Sequence, residues 1–304
     1  MKKIQNIAVI ILTVFAAVCF FSACTIESSY IDAIKDKMAD DPGGGSGGTG
    51  TYTVTYDGNG NTAGDAPSDS TQYAEGDTVT VLPKPDALVL EHSLQQTIDI
   101  VSFIFEGWNT GGSGNGTAYD ANDTFEMGTE DVVLYAQWTA IGAVGPGGGR
   151  IFYDKGLVSS EWRFMEAAPE DEEWWYKPWH DSSYEVFSFQ YNEIGDGKFN
   201  TDMIVAQFGE GNYAASLCSS SNKGGYTDWF LPSRDELIKM YENLKNYGGW
   251  GGNYWSSSEY DASRAYGVHF YLGTGGGDWY ILTKSFTEYD TNFPMYVRAA
   301  RRFY

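Results

Sequence analysis

Scanned for alternation of apolar and polar positions, the chain starts with Lys2 and Lys3, an apolar run from Ile7 to Phe21, and Ser22-Ala23-Cys24. A polar stretch follows, with a short helical pattern around Ile31–Met38, and then a Gly/Ser run from Pro42 to Gly50. Thr51–Tyr56 alternates with the period of a half-buried strand, and Asp57-Gly58-Asn59-Gly60 supplies turn residues after it. Phe103–Trp108 and Val132–Trp138 read as further strands, separated by the Gly-rich stretch 111–116 and the polar stretch 119–124. Beyond 140, a glycine cluster (Gly142, Gly145, Gly147–Gly149) leads into the strand-like Arg150–Tyr153.

Helical spacing occurs in two places. One pattern runs from Thr201 through Ile204, Val205 and Phe208, breaks at Gly209–Gly211 and resumes from Tyr213 to Cys218. The other places Leu237, Met240, Tyr241 and Leu244 on one face behind Pro232, with Ser233 and Glu236 spaced as a capping box, and stops at Gly248-Gly249. Asn253–Tyr260 and Met295–Arg301 complete the pattern as strands and loops. The expectation is an α+β protein with folded units at 51–139 and 140–304, behind a leader at 1–23 and a flexible tether at 24–50.

Composition sharpens this. The chain has 304 residues, with 37 Gly, 22 Tyr, 17 Phe and 10 Trp against 20% charged residues, which suits short aromatic strands joined by glycine turns. A formal charge of −22 repels phosphate backbones, so nucleic acid is not an expected partner. Cys218 stands apart from the leader cysteines in an apolar context and is expected in the core. The leader is basic, then apolar over a run shorter than the roughly 20 residues that span a bilayer. Its Phe21-Ser22-Ala23-Cys24 box resembles the bacterial lipobox, although Phe21 stands where that motif favours Leu. The resemblance implies lipidation of Cys24, a membrane as partner through that N-terminal lipid, and a place in the cell envelope, at the outer membrane or cell surface. An uncleaved signal anchor is the other reading.

Two further resemblances rest on specific blocks. Tyr52-Thr53-Val54-Thr55-Tyr56-Asp57-Gly58-Asn59-Gly60, the central Gly107-Trp108 and the closing Leu134-Tyr135-Ala136-Gln137-Trp138 resemble the internalin B-repeat, or Listeria–Bacteroides repeat. That implies a small β-grasp-like module of bacterial surface proteins with no catalytic residues; Ala87–Val101 is longer than the usual connection. Gly225–Leu237, Tyr254–Glu259 and Val297-Arg298-Ala299 are similar to the C-terminal domain of the Legionella collagen-like protein and to the Fibrobacter succinogenes major paralogous domain. This implies an α+β domain of C-type-lectin-like or sulfatase-modifying-factor-like kind, with a binding role toward glycans or other extracellular matrix polymers.

Sugar faces stack on exposed aromatic rings, and their hydroxyls need planar polar partners. Trp255, Ser256, Ser257, Ser258, Glu259 and Tyr260 interleave both kinds, and Asp228 and Arg234 stand in the neighbouring motif, which makes these eight the candidate ligand residues. A packing role is the competing reading for Trp229 and Trp255, and internal ion pairs or hydrogen bonds for Asp228, Asp235 and Arg298. Asp57–Asn61 reads as a turn, since Thr62 and Ser68 stand where a calcium loop needs Gly and Glu. Asp228, Glu259, Asp261 and Asp278 leave room for calcium, but the lectin-type Glu-Pro-Asn and Trp-Asn-Asp motifs are missing, so neither a metal nor another cofactor is assigned. The glycine cluster at 145–149 lacks the strand-before, helix-after context of a phosphate loop.

His92, His180 and His269 are isolated, and Cys218 has no partner for a cysteine-pair chemistry. The expectation is a non-catalytic binding or adhesion protein. A structural envelope spacer is the first alternative and a carboxylate-dependent glycoside hydrolase the second.

Overall fold

The computed structural model describes residues 50–93, 100–156, 162–170, 173–180, 191–271, 276–284 and 295–304. The leader, Cys24 and nearly all of the tether lie outside the described residues.

The alternation at the start of the first unit becomes Thr51–Tyr52 (β1) and Val54–Asp57 (β2). Tyr73–Ala74 (β3), Thr78–Thr80 (β4), Glu91–Ser93 (β5), Ile100–Ser102 (β6), Ile104–Asn109 (β7), Ala118–Tyr119 (β8), Thr124–Glu126 (β9) and Val132–Thr139 (β10) follow. A four-stranded sheet in the order β2-β10-β7-β8 carries the unit, with β2 and β10 parallel and the other pairs antiparallel. No helix lies among the described residues of 51–139. The motif aromatics fill the core because their polar atoms are satisfied there. The Trp108 indole donates to the Leu82 carbonyl (3.0 Å), while the Tyr56 hydroxyl accepts from the Leu82 N–H (2.8 Å). Asp57 accepts from the Asn59 N–H (2.7 Å) and the Trp138 indole donates to Gly58 O (2.9 Å), so Asp57–Gly60 is a turn pinned by the closing tryptophan.

In the second part, Arg150–Asp154 (β11), Phe164–Ala167 (β12), Glu173–Trp175 (β13), Gly252–Asp261 (β14), Arg264–Phe270 (β15), Trp279–Thr283 (β16), Met295–Arg298 (β17) and Ala300–Phe303 (β18) surround three helices. These are Gly197–Phe208 (α1), Ala214–Ser219 (α2) and Arg234–Leu244 (α3). β11-β12-β18 form one sheet and β13-β17-β14-β15-β16 another. The second sheet is covered on both faces. Tyr254 packs with Leu237, Met240 and Leu244 of α3, whereas its neighbour Trp255 packs on the other face with Ile204, Ala215 and Cys218 from α1 and α2. Successive residues of a strand point to opposite faces, so a strand sandwiched this way buries consecutive positions, here 252–259.

The capping box forms as spaced: Ser233 Oγ accepts from Glu236 N and the Glu236 carboxylate accepts from Ser233 N. The glycine cluster is a turn, and it does hold a carboxylate, that of the chain itself. Fully buried Glu166 on β12 accepts from Gly147 N (2.9 Å) and Gly149 N (3.2 Å) and pairs with Arg301 of β18 (2.8 Å).

The boundary read at 139/140 falls where β10 ends, and the residues on its two sides lie together in the compact unit Thr51–Tyr304. The long connection Ala87–Val101 contributes β5, which pairs with β6 as an antiparallel hairpin. Val101 and Phe103 pack with Ile151, Phe164 and Phe303 in a shared apolar cluster. Arg163 caps that seam, lying over Phe103 and Phe164 while its guanidinium forks onto Asp154 with two bonds of 2.8 Å.

Candidate functional site

The block 255–259 does not form an exposed patch. Trp255, Ser256, Ser257, Ser258 and Glu259 are all buried in the centre of the five-stranded sheet, which removes the open ring face that stacking needs. Their polar atoms serve the fold instead. The Trp255 indole donates to Lys177 O (2.9 Å), and Ser256 Oγ donates to Tyr266 O (2.8 Å). Ser258 Oγ accepts from Arg234 N (3.0 Å) and donates to Tyr191 O (2.9 Å), tying β14 to the start of α3. Glu259 is paired with buried Lys284, whose ammonium also donates to Ala262 O (3.1 Å) and lies against the Trp179 ring. Asp228 is engaged by Arg301 (2.7 Å), the same guanidinium that holds Glu166. Arg298 donates to Ala168 O and Gly249 O. Asp228, Asp235 and Arg298 thus have the internal partners of the competing reading.

The loop carboxylates do not converge as a calcium site would require. Asp228, Glu259 and Asp261 each carry their own cationic partner, and among the described residues no three His, Cys, Asp or Glu side chains are grouped to hold a metal.

Three of the eight residues, Asp228, Arg234 and Tyr260, reach the surface, and the last two both pack on Tyr266 beside an aromatic that sequence reasoning missed. Trp279, the first residue of edge strand β16, is 50% exposed and sets its edge on Tyr266 (5.4 Å between centroids). The Arg234 guanidinium lies 5.2 Å from the Tyr266 ring and 5.8 Å from the Trp279 ring, and its Nε donates to Asp235 (2.7 Å). Tyr260 packs edge-on against the other side of Tyr266 (5.5 Å), under Arg264, which is itself paired with Asp261. The Arg264 pairing holds the Asp261 carboxyl down to about 2.

Sequence and fold place this cluster together for stated reasons. The capping box starts α3 at Arg234 beside β14, and the antiparallel β15–β16 pair brings Trp279 opposite Val268, two residues from Tyr266. The half-exposed Trp279 ring therefore stands next to the Arg234–Asp235 pair, with the Arg264–Asp261 pair four residues further along the β15–β16 ladder. Stacking with bidentate hydrogen bonding is the chemistry such a surface offers. The available signal was Gly277-Asp278 followed by Trp279-Tyr280-Ile281-Leu282, a turn entering a strand whose first residue is an aromatic.

Beneath the cluster, Glu236 is completely buried and links two helix starts, accepting from Ser233 N (2.7 Å), Gly195 N (2.8 Å) and Gly197 N (3.4 Å). Burial pushes its carboxyl up to about 7, opposed by those three backbone donors. A concavity of about 280 Å³ opens where Arg150, Glu170, Tyr247 and Trp250 line its walls, Trp250 packing with Tyr254 on the face that carries α3.

Comparison with known proteins places the first unit. Two proteins of Evansella cellulosilytica are similar to part of this chain. One, provisionally named a Gly-rich membrane protein, is 40% identical over 87 residues, which is 29% of this chain and 9% of that protein. The other, provisionally named a membrane protein, is 36% identical over 89 residues, 29% of this chain and 12% of that protein. The chain thus spans about a tenth of the length of these relatives. A crystal structure of a fimbrial protein from Bacteroides ovatus overlaps 83% of this chain and 69% of its own with a TM-score of 0.39 and 11% identity, which carries no argument about fold. Residues 52–87 and 100–137 match the Listeria-Bacteroides repeat domain, and the unmatched 88–99 is the stretch that contributes β5 to the seam.

Proposed function

We propose that this protein is a non-catalytic binding module of the bacterial envelope, exported, lipid-anchored through Cys24 and presented at the outer membrane or cell surface, with glycans or matrix polymers as ligands. The repeat match at 52–87 and 100–137 and the membrane-protein names of the two relatives support the envelope setting. The resemblance of 140–304 to the Legionella collagen-like C-terminal domain supports a C-type-lectin-like binding unit. The observation that carries the ligand reading is the half-exposed Trp279 beside the Arg234–Asp235 pair. An open indole face takes the apolar face of a sugar, and paired planar groups take its hydroxyls.

The test is a glycan and matrix-polymer array with residues 51–304, kept whole because the two parts share a core. Saturable binding that Trp279→Ala weakens, with an unchanged melting temperature, is the expected outcome. Binding indifferent to Trp279→Ala would move the ligand site away from Trp279, and no binding at all would transfer the function to the envelope-spacer reading, which the apolar seam between the two parts favours.

A further inference from the structure

One row of residues crosses the whole five-stranded sheet in register. Trp175 of β13 sits opposite Tyr296 of β17, Tyr296 opposite Tyr254 of β14, Tyr254 opposite Val268 of β15, and Val268 opposite Trp279 of β16. Registered partners share a face, so all five side chains point to the face that carries α3. The middle of the row, Tyr254 and Val268, is buried beneath α3 with Leu237 and Met240. Its two ends are tryptophans on the two edge strands, and both are open: Trp175 is 61% exposed and Trp279 50%.

The β13 end also has an exposed tryptophan, with a cleft beyond Tyr296 whose lining does not include Trp175. Trp175 meets Tyr296 edge-on at 6.0 Å, and the aromatic contacts continue through Tyr254 (5.5 Å) to Trp250 (5.8 Å) at the wall of the 280 Å³ cleft. The exposed Arg150 and Glu170 on that wall are the planar polar groups. Tyr176, next to Trp175, is held at φ +54°, a conformation that costs a non-glycine residue energy and that clusters at ligand-contacting sites.

We propose that Trp175 and the Arg150–Trp250 cleft form a second glycan station, so that one molecule holds two separate polysaccharide chains and bridges them. This rests on the glycan reading of the Trp279 surface. Four strand spacings put the stations about 19 Å apart. The sheet twists by about 20–25° per strand, so the two ends are turned by roughly 80–100° relative to each other. With α3 standing between them, one straight chain cannot lie on both. The net charge of −22 disfavours a polyanion, and two flat indole faces suit an uncharged, all-equatorial β-linked glycan.

Residues 51–304 are titrated calorimetrically with cellohexaose, and mixed with hydroxyethyl cellulose to read viscosity. The expected result is two binding equivalents, one remaining in Trp175→Ala or Trp279→Ala and none in the double variant, with Trp175→Tyr retaining both. Viscosity should rise with the parent protein and with neither alanine variant, since bridging needs two occupied stations. A single equivalent lost in Trp279→Ala and untouched by Trp175→Ala would overturn the bridging proposal and leave the glycan reading standing. No cellohexaose binding by the parent would also overturn it, and the array then decides the glycan reading separately. Both rings are exposed, so unchanged melting of the single variants shows that the losses are not unfolding.

Discussion

A tryptophan contributes either a stacking face or a packed core, and burial decides which. Trp255 is fully enclosed among Ile204, Cys218 and Val297, with its indole N–H spent on Lys177 O. Trp255→Ala should therefore cost about 3–5 kcal/mol of folding stability, read as a shift in urea midpoint. An unchanged midpoint would contradict its place in the core. Glu236 makes a pH-dependent prediction at the same scale. Its folded carboxyl titrates at about 7, above an ordinary value of 4.5, so the folded state favours the protonated form. Its contribution is complete below pH 4.5 and is lost as pH rises through about 7. Melting temperature followed from pH 4 to 8 should fall less steeply in Glu236→Gln than in the parent; parallel curves would show that Glu236 does not titrate there.

At the level of elements, local rules were legible where local physics sets them. The capping box and the break at Gly209 follow from backbone donors and glycine conformation and appear in place, while α3 itself ends at Leu244 and a 3-10 turn over Lys245–Tyr247 carries the chain to the stop at Gly248. The face assignment of β14 was not legible. A Trp-Ser-Ser-Ser-Glu run reads as an exposed polar patch until helices are known to cover both sides of its sheet. The hairpin β5–β6 was visible in the sequence as an overlong connection and nothing more. Its role is to carry Val101 into the cluster with Ile151 and Phe164. Val101→Asp would bury a carboxylate in that apolar seam. Calorimetry should then show two melting transitions where the parent shows one, and a single retained transition would mean that the seam does not couple the two parts.

For the whole molecule, the seam joins the two parts and the sheet sets where the exposed tryptophans stand. The repeat and the C-terminal part share an apolar cluster, in which Val101 and Phe103 pack with Ile151, Phe164 and Phe303. Edge strands expose unpaired backbone and are a liability. Here each edge of the five-stranded sheet bears an exposed tryptophan, and the α3 helix separates them.

By itself the sequence determined what depends on near neighbours in the chain: the strand and helix periods, the turns, the cap, the repeat motif, and the expectation that Cys218 is core, which the structure places at full burial. Only the tertiary structure decided which aromatics are open. That depends on which elements cover which sheet face and which strands lie at its edges, and both are set by pairings between residues far apart, such as Tyr254 with Tyr296 and Val268 with Trp279.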